Sequence, residues 1–247
     1  MVRIVKQVLR ALPGYPWLLL SVWPFKFIEF DEIGKMQPFT PEDRVLDLGC
    51  GHGTQTLLLA QRCGHVIGLD PNQAYIATAS SKASQRRTRN VEFLCTTLES
   101  AGLPDGSFDK VVSYSVIEHI PNYLQVISEV FRVLKPGGHF VFSTDCLAGV
   151  PEDLREKHRK DHSVQVYFSI DSLKRILLDA GFRNVVVRPL FTTEYARDTF
   201  IEGIRKKFDF GVAYAWTVVL RLKREQTRAG PHAMFLLASA RKPVSAP

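Results

Sequence analysis

The stretch Val45-Leu46-Asp47-Leu48-Gly49-Cys50-Gly51-His52-Gly53 is an apolar strand that breaks into three glycines at alternate positions, directly before the helix-like run Thr54 to Arg62. A buried strand entering a glycine turn at a helix N-terminus leaves a backbone that a ligand can approach closely, with N–H groups free at its mouth. Gly49, Gly51 and Gly53 make GxGxG, and Thr54 stands where a dinucleotide fingerprint would place its third glycine. A second apolar run, Val66 to Leu69, ends on Asp70, whose carboxylate at a strand tip suits the two hydroxyls of a ribose. Such an acid serves more than one class of nucleoside cofactor, so Asp70 alone does not choose between them.

Outward from this loop, short Val/Ile/Leu/Phe runs alternate with helical patterns. Strands are expected near 45 to 48, 66 to 69, 91 to 95, 109 to 113, 139 to 144, 184 to 188 and 233 to 240, with helices near 54 to 63, 72 to 85, 122 to 134 and 170 to 180. Such alternation predicts an α/β fold, a mostly parallel sheet with helices on both faces. Ser169 and Gly181 read as the cap and the C′ residue of the last of those helices.

The downstream blocks Leu103-Pro104-Asp105-Gly106-Ser107-Phe108-Asp109, Ser115-Val116-Ile117-Glu118-His119-Ile120 and Arg132-Val133-Leu134-Lys135-Pro136-Gly137-Gly138 follow the glycine loop and Asp70 in order. Together the five blocks resemble the class I S-adenosylmethionine-dependent methyltransferases, and most of all the small-molecule branch that includes the ubiquinone and menaquinone enzymes. The resemblance covers about residues 40 to 145. It implies a Rossmann-like sheet of seven strands whose last pair is antiparallel, S-adenosylmethionine as cofactor, and methyl transfer to a small or lipid-linked acceptor, foremost to oxygen. A methyltransferase-like binding or assembly protein without transfer is the alternative, and an NAD-dependent oxidoreductase is disfavoured by Thr54 and by the downstream blocks.

By the same resemblance Gly49, Cys50, Gly51 and Gly53 meet the methionine part of the cofactor and Asp47 supports its amino group. Asp70 takes the ribose, while Pro71 and Asn72 lie against the adenine. Thr97 stands where family members commonly carry Asp, so it accepts from the adenine amino group only as a neutral hydroxyl, with backbone groups of Thr97 and Leu98 beside it. Ser115, at the end of the fourth strand, faces the transferred methyl group. Enzymes that methylate base amino groups carry Asp/Asn-Pro-Pro-aromatic there, and Ser113-Tyr114-Ser115-Val116 does not match, which argues against nucleic acid as acceptor. His119 is the candidate catalytic base, an imidazole suited to removing a hydroxyl proton near neutral pH, or else a residue packed against the cofactor edge. Glu118, His162 and Tyr167 are candidate substrate contacts. His158 and His162, four apart, share a helix face, but without HExxH or a third ligand no metal is expected.

At 247 residues, 45% hydrophobic and 23% charged, the chain suits one globular domain. The expected division is 1 to 40 as N-terminal lid or surface helices and 41 to 247 as the methyltransferase domain, with an insertion at 190 to 231 between the last two strands. Residues 145 to 168 are a further candidate for the lid. The tail after Arg241 reads as disordered.

The formal charge of +7 is concentrated in clusters. Arg86, Arg87 and Arg89 read as cations at a helix C-terminus. Arg3, Lys6 and Arg10 flank Trp17 and Trp23, and Lys206 and Lys207 flank Phe208, Phe210 and Trp216. This pattern is compatible with a roof over an apolar acceptor or with reversible contact to an anionic membrane surface. No segment reads as membrane-spanning, because prolines interrupt the N-terminal apolar stretch well short of about 20 residues. Four scattered cysteines without CxxC pairs point to a reducing compartment, and the expected location is cytoplasmic.

Overall fold

The structure is a computed structural model that describes residues 23–206, 208, 212–226 and 228–244. The basic N-terminal residues Arg3, Lys6 and Arg10, with Trp17, Lys207, Phe210 and the last three residues of the tail, lie outside the described residues. A seven-stranded sheet runs in the order β3-β2-β1-β4-β5-β7-β6. Its strands are β1 Arg44–Leu48, β2 His65–Leu69, β3 Val91–Leu94, β4 Phe108–Tyr114, β5 Leu134–Ala148, β6 Arg183–Leu190 and β7 Ala233–Arg241. β1 to β5 pair in parallel, and β7 slots antiparallel between β5 and β6. The order reverses between β1 and β4, and in an open α/β sheet ligands bind beyond the carboxyl ends of the strands at that reversal.

Eight α-helices are present among the described residues: α1 Pro24–Met36, α2 Thr54–Leu59, α3 Gln73–Gln85, α4 Tyr123–Val133, α5 Glu152–His162, α6 Ile170–Asp179, α7 Glu194–Arg205 and α8 Val212–Glu225. Helix α6 starts where its cap predicts, with Ser169 Oγ accepting from Ser172 N in a capping box. It stops at Gly181 (φ 98°), where Gly181 N and Phe182 N donate to Leu178 O and Leu177 O, a Schellman arrangement. Helix α2 is shorter than the expected 54 to 63. Its last turn tightens into hydrogen bonds from Gln61 and Arg62 to Leu58 O and Leu59 O, and Gly64 turns the chain under Pro41, whose carbonyl lies 2.3 Å from where a Cβ would sit. β5 is longer than expected, because Leu134 already pairs with Phe108 before the Pro136-Gly137-Gly138 irregularity.

Both faces of the sheet are covered. One core gathers Phe25, Ile28 and Ile33 of α1 with Phe200 of α7, Val218 and Leu222 of α8, and Val112 and Leu237 of the sheet. The other gathers Val126, Ile127 and Val130 of α4 with Leu173 and Leu177 of α6 under Leu46, Phe140 and Phe142. Helices α7 and α8 occupy the long connection between β6 and β7, and α8 packs against α1. No helix among the described residues is long and apolar enough to cross a membrane. All four cysteines are free thiols.

Candidate active site

The glycine loop is shaped by backbone that only glycine adopts readily. Gly49, Gly51 and Gly53 have φ of 74°, 51° and 72°. A Cβ on Gly49 would meet Val116 at 2.5 Å and one on Gly53 would meet Ala79 at 2.7 Å, whereas Gly51 looks onto open space. Gly49 N and Cys50 N donate to Leu69 O, which ties the loop to the end of β2. Lys82, buried on α3, donates to His52 O at 2.6 Å and fixes the far side.

Asp70 sits between the loop and α3. Its Oδ2 accepts from Gly51 N at 3.0 Å and its Oδ1 from Asn72 N at 2.9 Å. The half-buried carboxylate therefore orders the loop and retains outward lone pairs for a ligand. Asn72 caps α3 through Oδ1 to Ala74 N and Tyr75 N, so its side chain serves the helix, while Pro71 beside it is exposed. Thr97 is exposed with Oγ1 on Ser100 Oγ, and Leu98 is buried. Cys50 is buried, and burial pushes its thiol far up.

Asp47 lies at the bottom of this cleft, 1% exposed. Its Oδ2 accepts from Thr56 Oγ1 at 2.6 Å, and its Oδ1 is buried with no partner. Burial pushes its pKa up to about 7, with Asp70 adding to the rise and Thr56 opposing it. A buried acceptor with no donor is costly to leave unmatched. Beside a glycine that faces open space, it is a fitting counterpart for a cationic amine.

The second half of the site is a cavity of about 330 Å³ beyond the ends of β4 and β5. Its walls are aromatic: Trp23 and Phe25 at the α1 end, Phe200 from α7, Phe208 and Phe235. Its polar side consists of Lys26, Ser115, His119, Asp145, His158 and His162. Ser115, with φ of 52°, follows β4 directly and donates from Oγ to Glu29 Oε1 at 2.7 Å. Glu29 is fully buried on α1, accepts also from Ser143, and pairs with Lys26 at 2.9 Å. Lys26 further donates to Tyr114 O at 3.1 Å.

Of the residues expected to touch substrate, His119 and His162 reach this cavity, and burial lowers the pKa of both imidazoles. Glu118 and Tyr167 stand behind the wall. Glu118 is fully buried, accepts from Asp145 N at 2.8 Å, and through its carbonyl accepts from Gln165 N and Val166 N. Burial raises its pKa to about 7, and that of Asp145 beside it rises too. Glu118, His119 and Asp145 bring one possible ligand atom each within 4.8 Å of one another, a set that could hold a metal ion. Sequence reasoning passed over Glu29, Lys26 and Asp145, and considered His158 only as half of a metal pair with His162.

Residues 46–142 match the family model of a methyltransferase domain. An arsenite methyltransferase from Halobacterium salinarum is 32% identical over 164 residues, which are 64% of this chain and 42% of that protein. A demethylmenaquinone methyltransferase from Lactococcus lactis is 39% identical over 100 residues, 39% of this chain and 40% of that protein. The chain spans between about a third and two thirds of the length of such curated relatives. The solved geranyl diphosphate C-methyltransferase from Streptomyces coelicolor superposes with a TM-score of 0.68 at 16% identity, over 88% of this chain and 76% of that one, a likeness of fold. The matched residues, the sheet order and the likeness to solved structures agree: residues 46–142 are a methyltransferase domain, and the chain around them has the class I methyltransferase fold.

Proposed function

We propose that this protein transfers a methyl group from S-adenosylmethionine to the hydroxyl of a small apolar molecule or of the exposed end of a lipid-linked one. The observation that carries the reading is the adjacency of two unlike compartments. A glycine-lined cleft ends in a buried, unmatched carboxylate at Asp47, and an aromatic cavity with imidazoles on its polar side opens beyond Ser115. When bound, the cofactor supplies an electrophilic methyl group on a sulfonium sulfur. The chain's own residues do the rest. Asp47 and the Gly49 to Gly53 backbone hold the amino-acid end, Asp70 holds the ribose, and Thr97 and Leu98 flank the adenine. The aromatic walls exclude water and align the acceptor. A cavity of this size and lining suits a ligand at the small end of the range for metabolites.

Incubating the protein with methyl-labelled S-adenosylmethionine and a metabolite or lipid extract of the source cell tests this. A labelled product whose mass rises by one methyl group on oxygen is expected. Label on nitrogen or carbon would redirect the acceptor class, and no labelled product from any extract would favour a binding protein without transfer.

Asp47 adds a pH prediction. Its raised pKa means that the free protein holds a proton there below about 7, whereas a bound ammonium favours the carboxylate. Affinity for S-adenosylhomocysteine should therefore fall as pH drops through about 7, and binding should release a proton in that window. Calorimetry in two buffers of different ionisation heat reads this directly. Equal affinity at pH 5 and 7 with no proton release would remove the ammonium from Asp47.

A further inference from the structure

The cavity holds three imidazoles, and the chain fixes the proton of one of them. His158 is 4% exposed on α5. Its Nδ1 lies 3.1 Å from Tyr167 Oη, and Tyr167 Oη lies 3.2 Å from Arg155 O. A carbonyl oxygen only accepts, so the single hydroxyl proton of Tyr167 goes to Arg155 O. The phenolic oxygen is then an acceptor toward His158, and Nδ1 must carry the ring proton. Nε2 is left with its lone pair, on the side of Asp145, whose Oδ2 is 3.6 Å away. That separation is too long for a direct hydrogen bond.

Tyr167 is itself held. The guanidinium groups of Arg155 and Arg159 lie over its ring at 4.6 and 4.8 Å. The chain before it is tied to Glu118 O through Gln165 N and Val166 N, and the Glu118 carboxylate holds Asp145 N. One buried residue thus positions both partners of His158. The arrangement has the form of an oriented base: an unprotonated ring nitrogen on a cavity-lining histidine, with a third group fixing the other nitrogen.

We propose that His158, rather than His119, is the catalytic base of the acceptor cavity, with Nε2 as the proton-accepting atom and Tyr167 as the residue that positions it. This rests on the methyl-transfer reading. The acceptor O–H proton passes to Nε2 while the oxygen lone pair forms the new O–C bond. The electron pair of the breaking C–S bond stays on sulfur, which becomes a neutral thioether. The resulting imidazolium lies between the Tyr167 oxygen and the Asp145 carboxyl group. It returns its proton to solvent once product leaves.

Two readouts test the proposal. In full-length protein labelled with 15N-histidine, ring NMR at neutral pH should show the His158 signal, identified by its loss in His158→Gln, as the Nδ1–H tautomer. Tyr167→Phe should shift it toward Nε2–H. In the label-transfer reaction His158→Gln should lower the rate about a hundredfold or more, without changing the affinity for S-adenosylhomocysteine. Tyr167→Phe should lower the rate in parallel with the fraction of wrong tautomer. An Nε2–H tautomer in the wild type, or a His158→Gln variant that keeps the wild-type rate while His119→Ala loses it, would overturn the assignment. Failure of the wild type to label any extract would sink the methyl-transfer reading instead, and the ring spectrum would still decide the orientation of His158.

Discussion

Asp70→Ala should weaken binding of S-adenosylmethionine and of its demethylated product roughly tenfold to a hundredfold, read as a change in Kd by calorimetry. Two losses combine in that figure. The ligand loses a charged acceptor, a change of about 1.5 to 3 kcal/mol, and Gly51 N and Asn72 N lose the oxygens that hold them at 3.0 and 2.9 Å. The second loss loosens the glycine loop. Asp70→Asn separates them, because its amide oxygen keeps one of these contacts without the charge, and it should fall between wild type and alanine. Unchanged affinity in the alanine variant would mean that the ribose is held elsewhere.

Glu29→Ala should lower the unfolding free energy on the order of 3 kcal/mol, because it removes one member of an ion pair whose carboxylate is fully buried. For a domain of this size that corresponds to a fall in Tm of about 6 to 12 °C. Lys26 would be left with Tyr114 O, and the hydroxyls of Ser115 and Ser143 would lose their common acceptor. The double variant Lys26→Met with Glu29→Leu should recover much of the loss, since apolar replacement of a buried pair is often close to neutral. Thermal unfolding of the three proteins checks it. If Glu29→Ala melts with the wild type, α1 is not anchored to the ends of β4 and β5 through this carboxylate.

The glycine loop and the acid beside it were legible in the sequence because their requirements are local. Three positions with positive φ within five residues leave glycine as the ready choice, and an acid at the tip of the next strand is one residue past a recognisable apolar run. The same locality exposed the cap of α6. Capping also limits the reading, since Asn72, two residues past the acid, turns its side chain to α3 rather than into the cleft.

The aromatic cavity was not legible, because its residues meet only in three dimensions. Glu29 lies 86 and 114 residues from the two serines that donate to it, and a lone glutamate on an aromatic helix reads as its solvent side. Helix α5, Glu-Asp-Leu-Arg-Glu-Lys-His-Arg-Lys-Asp-His, is so polar that it reads as a solvated surface, yet His158 is its one buried residue. Tyr167 was expected at the substrate and stands behind the histidine that faces it. Long connections such as 190 to 231 announce that something covers the site without saying which side chains turn inward. Phe200 and Phe208 come from that connection and help close the cavity.

The most direct measurement for the account as a whole is a calorimetric titration of the full-length protein with S-adenosylhomocysteine and, separately, with NADH. The arrangement of Asp47, the three glycines and Asp70 predicts saturable binding of S-adenosylhomocysteine at one site per chain, displaced by S-adenosylmethionine, and no binding of NADH. Saturable NADH binding with no heat from S-adenosylhomocysteine would contradict it.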